Sequence, residues 1–98
     1  MHVIHSEAKT ESASKYLQQL CKHFAHKVSS EWTLECGRVD FPFGLCEMQA
    51  ENGNLTIRCS TADEANLPLL RAVIDSHMKT FSWREKLQLE WHVTRADQ

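Results

Sequence analysis

The apolar positions between residues 12 and 28 recur at the spacing of an α-helix. In SASKYLQQLCKHFAHKV, the residues Ala13, Leu17, Leu20, Cys21, Phe24 and Val28 fall at i, i+3, i+4 and i+7 intervals, which gathers them on one face. This predicts a helix over 12–28 with a buried stripe, capped by the hydroxyl of Ser12 or Ser14. From Glu31 the period shortens to two. Trp32, Leu34 and Cys36 alternate with Glu31, Thr33 and Glu35, and Val39 and Phe41 alternate with Arg38 and Asp40. Cys46, Met48 and Ala50 alternate with Glu47, Gln49 and Glu51, after which Leu55, Ile57 and Cys59 resume the apolar face. Strands covered on one side and wet on the other read this way. Gly37 and the run Pro42 to Gly44 mark turns. Asn52-Gly53 is the strongest hairpin signal, because both residues accept the positive φ of a type I′ turn.

Outside this meander, Val3 and Ile4 predict a strand near 2–8. Thr61 and Glu64 have capping-box spacing, but Pro68 would cost a helical hydrogen bond, so the regular helix is expected to begin nearer Leu67. From there Leu67, Leu70, Val73, Ile74, His77 and Phe81 share a face. Leu87, Leu89, Trp91 and Val93 then alternate with polar residues as a last strand, and Thr94 to Gln98 reads as a frayed end. Strands are thus expected near 2–8, 31–36, 38–41, 45–51, 54–60 and 87–93. The order β-α-β-β-β-β-α-β predicts an α+β two-layer sandwich, with both helices on one face of a mainly antiparallel sheet. A faint echo relates Leu20, His23 and Phe24 to Ile74, His77 and Met78, equally spaced in the two helices. Amphipathic helices resemble one another without common origin, and that is the simpler explanation.

Length and charge narrow the classes. The 98 residues suit one domain, 1–98, with one core. A formal net charge of -2 argues against general nucleic-acid binding, which shows as a basic excess. No apolar run is long enough to span a membrane. The four cysteines, Cys21, Cys36, Cys46 and Cys59, include no C-x-x-C pair, and no secretion-like stretch precedes them, so reduced thiols and a cytoplasmic location are expected. Cys36, Cys46 and Cys59 are placed on the inward face of the meander as small apolar residues.

The candidate chemistry is mostly histidine. His2 and His5 fall on the first strand, His23 and His26 on the first helix, His77 on the second and His92 on the last strand. His23 borders the apolar face beside Tyr16, whereas His26 lies opposite it, so this i, i+3 pair does not form an obvious ligand set. No His-Glu-x-x-His run, glycine-rich phosphate loop or paired cysteines accompanies them. No metal and no cofactor are therefore expected. His77, inside an apolar stripe, is expected as a core histidine whose nitrogen is satisfied by backbone or hydroxyl. The carboxylates show no unlike environments of the kind that acid-base catalysis uses, and Cys21 and Cys46 lie on core faces, away from the exposure a nucleophile needs. The expected class is non-enzymatic. The outer sheet face, with Arg38, Asp40, Glu47 and Arg58, is a candidate surface for a protein partner or a homodimer mate. The alternative is a small-molecule or metal-binding protein using the neighbourhood of Tyr16, His23 and His77.

Several separated blocks carry a family resemblance. Ala13-Ser-x-Tyr16-Leu17-x-x-Leu20-x-x-His23-x-x-His26-Lys27 is followed by Gly37-Arg-Val-Asp-Phe-x-Phe-Gly44-x-Cys46, then by His77-x-x-x-Phe81-x-x-Arg84-Glu85-x-Leu87-x-x-x-Trp91. Together they resemble the bacterial domain of unknown function numbered 2218, over nearly the whole chain. The resemblance implies no assigned activity. It implies an accessory role in iron or siderophore metabolism, since some relatives stand beside or are fused to siderophore-interacting and iron-uptake proteins. Tyr16, His23, His26, Gly44, Cys46, His77, Phe81, Arg84 and Trp91 match the family pattern, and Pro68 departs from it. Tyr16, His23, His77 and Arg84 are the ligand-binding candidates.

Overall fold

The computed structural model describes residues 1–94. Its elements are β1 (His2–Lys9), α1 (Ala13–Phe24), β2 (Ser29–Trp32), β3 (Cys36–Phe41), β4 (Gly44–Glu51) and β5 (Asn54–Thr61), then α2 (Leu67–Phe81) and β6 (Trp91–Thr94). The strands form one sheet in the order β2-β3-β4-β5-β1-β6, every neighbouring pair antiparallel. Both helices lie on one face, and the expected α+β sandwich and element order are found.

Leu17, Leu20, Cys21 and Phe24 of α1 and Leu70, Ile74 and Met78 of α2 close over Ile4, Val39, Cys46, Met48, Leu55, Ile57 and Cys59 of the sheet. The core is thus built from the inward half of each alternating pattern. Asn52 (φ 52°) and Gly53 (φ 75°) both adopt the left-handed conformation, as a type I′ turn between β4 and β5 requires. Gly44 answers a different need. A Cβ there would stand 2.8 Å from the Ser60 carbonyl oxygen and 2.9 Å from Leu70 Cδ1, so the β3–β4 hairpin can tuck beneath α2 only without one.

Several boundaries differ from expectation. The first helix ends at Phe24, not near Val28. After it the Lys27 amide bonds to the Phe24 carbonyl at 3.0 Å and the His26 amide to the His23 carbonyl at 3.3 Å, the tighter i to i+3 pattern of a closing turn. Ser30 Oγ donates at 2.9 Å to the Cys21 carbonyl, which also accepts the Ala25 amide at 3.0 Å, and so ties β2 to the helix end. Val28 still packs against the core. At the other end Ser12 makes no side-chain capping bond; its amide donates instead to Thr10 Oγ1 at 3.0 Å.

The expected strand over 31–36 is two pieces of strand joined by a turn. Thr33 Oγ1 accepts from the amides of Glu35, at 3.2 Å, and Cys36, at 3.1 Å, a hydroxyl turn that competes with the ladder. Leu34 is therefore 67% exposed at the tip, and Cys36, opposite Gln49, faces outward and is exposed. Trp32 pairs with Gly37 on the inner side but lies on the sheet's edge strand, 37% exposed. Two meander cysteines, Cys46 and Cys59, are inward rather than three.

Thr61 and Glu64 do not form the expected capping box, since Thr61 Oγ1 accepts from the Asp63 amide at 3.3 Å. Asp63 accepts from the Ala65 amide at 3.0 Å and opens one 3-10 turn, Glu64–Asn66, from which α2 starts at Leu67 with Pro68 in its first turn. There its missing N–H costs nothing. The last strand is shorter than expected, because Leu87 and Leu89 pack on the core from a loop and pairing with β1 begins at Trp91. Val93 pairs with Ile4 on the inner side yet is 72% exposed. The expected frayed end falls on residues outside those described, except Thr94, which closes β6 opposite Val3. The echo between the helices has no counterpart in topology. In the sheet order the strands flanking α1 stand fifth and first, whereas those flanking α2 stand fourth and sixth.

Candidate functional site

His23, near the end of α1, and His77, in the last turns of α2, meet at the surface. Their Nε2 atoms are 3.1 Å apart and their ring centroids 4.6 Å. His77 Nδ1 lies 2.7 Å from the Val73 carbonyl oxygen. A carbonyl only accepts, so Nδ1 carries the proton and the neutral ring presents an Nε2 lone pair to His23, whose Nε2–H donates to it. His77 is half-buried at the surface and not in the core as expected; the backbone satisfies one nitrogen, and the other is committed to a second imidazole.

Aromatic rings frame the pair. Phe24 meets His77 edge-on at 4.8 Å and Phe41 at 4.9 Å, Phe41 stacks on Phe43 at 5.0 Å, and Phe81 lies 5.9 Å from His23. The collar follows from the helical repeat, since Phe24 adjoins His23 and Phe81 stands one turn beyond His77. Desolvation, then the charges of His77, His26 and Lys27, hold the His23 imidazole below its ordinary value.

Tyr16 and Arg84 do not join this pair. Tyr16, two turns before His23, donates its hydroxyl to Glu85 Oε1 at 2.6 Å, and Thr10 Oγ1 donates to Glu85 Oε2 at 2.9 Å. Burial, the hydrogen bond to Glu85 and that carboxylate's charge push the Tyr16 phenol up to about 12. The bonds from Tyr16 and Thr10 hold the Glu85 carboxyl below its usual range. These contacts strap the loop after α2 to the start of α1, and Glu85 is the residue sequence reasoning did not single out. Arg84 is exposed, over the Trp83 ring at 4.9 Å. A concavity of about 660 Å³ lies between α2 and this loop, lined by Asp75, Met78, Trp83 and Leu89 among others, and it contains none of the four candidates.

On the sheet's outer face, register aligns Glu31, Arg38, Glu47, Arg58, His5 and His92 in one row across all six strands. Opposite charges alternate over the first four. Asp40 pairs instead with Arg38 along its own strand, at 3.4 Å. All four expected surface residues are exposed there. A second concavity, about 390 Å³, lies beside His5, Glu7, Thr56, Glu90 and His92.

No curated protein matches the chain's sequence. An NMR structure of the Pseudomonas aeruginosa protein PA4090 is similar in fold with a TM-score of 0.78, at 33% identity over 94% of this chain and 96% of that one. The family described as uncharacterized protein conserved in bacteria, DUF2218, matches residues 5–92. That span runs from the centre of β1 to β6 and includes both histidines of the pair, so the chain belongs to this family.

Proposed function

We propose that the chain is a single-domain, non-enzymatic binding module of the cytoplasm, whose ligand site is His23, His77 and their aromatic collar. The observation that supports this reading is the meeting, at the surface, of two imidazole nitrogens from different helices, 3.1 Å apart. A histidine kept for packing is satisfied by its own surroundings. Here His77 Nε2 takes as its partner another ring able to carry a proton, and a ligand can replace that contact from solvent. The Phe24 and Phe81 rings beside the pair suit a planar group on such a ligand. The resemblance implies that some relatives stand beside or are fused to siderophore-interacting and iron-uptake proteins, and on that ground the proposal extends to an accessory role in iron handling.

Melting curves with ferric siderophores, haem and small catechols test this, since a ligand bound only by the folded state raises the melting temperature. A rise in the wild type that is absent in His23→Ala is expected. Equal rises in both, or none with any compound, would overturn the reading.

A second reading rests on the outer sheet row. Alternating Glu31, Arg38, Glu47 and Arg58 become complementary to themselves when a second copy faces them in reversed order, as a two-fold axis along the strands would place it. Sedimentation of the wild type and of Arg38→Glu separates monomer from such a pair, and identical monomeric behaviour in both would remove it.

A further inference from the structure

We infer that His23 and His77 form a two-nitrogen site for one divalent first-row transition-metal ion, with water completing its coordination. This rests on the diad being a ligand site and names the ligand. Imidazole Nε2 binds such ions at about 2.0–2.1 Å. Two cis ligands on one ion then stand roughly 2.9 Å apart at a right angle and about 3.3 Å apart at the tetrahedral angle. The observed 3.1 Å falls between these values before any side chain moves.

The ring placement agrees with this. An in-line N–H···N bond of that length would hold the centroids roughly 5.4 Å apart, whereas they are 4.6 Å apart. Rings aimed at a common point off the line joining their nitrogens would stand about 4.8 Å apart. His77 also has the outer support of a metal-bound histidine. Its Nδ1–H donates to the Val73 carbonyl, which fixes the tautomer and leaves Nε2 for the ion.

Binding needs one rearrangement. The Nε2 proton of His23 passes to solvent while its Nδ1 takes one, so both rings stay neutral and both lone pairs enter the metal's coordination sphere. Among the described residues no group of three or more His, Cys, Asp or Glu is placed to hold a metal. The site is therefore open and exchangeable, and imidazole selects zinc, nickel, cobalt or copper over the hard oxygen-seeking ions. Spacing along the chain left metal binding only as the alternative reading, because neither helix assembles a ligand set by itself; these ligands are 54 residues apart.

Titration with zinc, followed through the imidazole nitrogen resonances, locates the site directly. The expected result is one equivalent bound, with the Nε2 signals of His23 and His77 shifted and no shift with magnesium. His77→Phe, which keeps an aromatic ring in the collar, should weaken binding at least about tenfold, and His92→Phe should leave it unchanged. Zinc uptake that survives His77→Phe, or that shifts His5 and His92 instead, would overturn the assignment. If zinc leaves both rings undisturbed while a siderophore or catechol shifts them, the metal is excluded and the ligand site stands. If neither moves them, both inferences fall.

Discussion

Tyr16 is the single tyrosine of the chain, so its ionisation can be followed without interference from a second phenol. Its pKa is raised to about 12 when folded, against an ordinary value near 10. The folded state therefore resists a deprotonation that the unfolded chain undergoes, and stability present below about pH 10 is lost as pH rises toward 12. The tyrosinate absorbance should titrate near 12 in the native protein, and Tyr16→Phe should remove this component of the alkaline loss of stability. Glu85 works in the opposite direction. Its carboxyl is lowered in the fold, so its contribution is present above the usual carboxylate range and disappears as pH falls through the folded value. The difference in melting temperature between wild type and Glu85→Gln should accordingly shrink on acidification. A difference constant from pH 7 to pH 3 would show that the strap from Tyr16 and Thr10 to Glu85 does not carry it. The sequence marked Tyr16 by its place at the border of an apolar stripe. Its partner lies 69 residues away, and helical spacing relates only residues within a few turns.

At the level of elements, α1 has its expected inward stripe, now limited to Ala13–Phe24. Phe24 is 7% exposed and lies among core side chains. Phe24→Ala should cost about 3–5 kcal/mol in urea unfolding. A cost below about 1 kcal/mol would mean that the face collapses freely around the gap. The β3–β4 hairpin depends on a small residue in a different way. Gly44→Ala would press a methyl group against the Ser60 carbonyl, a backbone atom held by sheet pairing, and overpacking of this kind costs about 1–3 kcal/mol. A neutral substitution would show that the strands can part without loss. Element type was legible wherever the period ran unbroken, as in β3, β4 and β5. It misled at 31–36 and 87–93, where apolar residues alternated across a turn and a loop. Period two reports which side chains seek cover, and a Thr33 hydroxyl turn can satisfy the same letters.

In the whole molecule the four thiols divide by burial. Cys21, Cys46 and Cys59 are buried and Cys36 is exposed, all unpaired. The hydrogen bond with Cys59, then burial, raises the Cys46 thiol well above its ordinary range, and burial raises that of Cys21. A thiol-reactive chromophore should therefore react rapidly with one equivalent and reach the other three only on unfolding; Cys36→Ser should abolish the fast phase. Two or more fast equivalents would mean that the core opens readily. Legible in the residues themselves are the number of helices and strands, the inward face of each regular one, the type I′ turn and the layered class. Those follow from local periodicity and turn chemistry, which act over a few residues. Tertiary packing sets the strand order, the seat of Glu85 and the meeting of His23 with His77. Each depends on how separate elements dock. His23 and His77 each belong to a helix whose own pattern explains only its buried face; packing α1 beside α2 turns two border histidines into one pair.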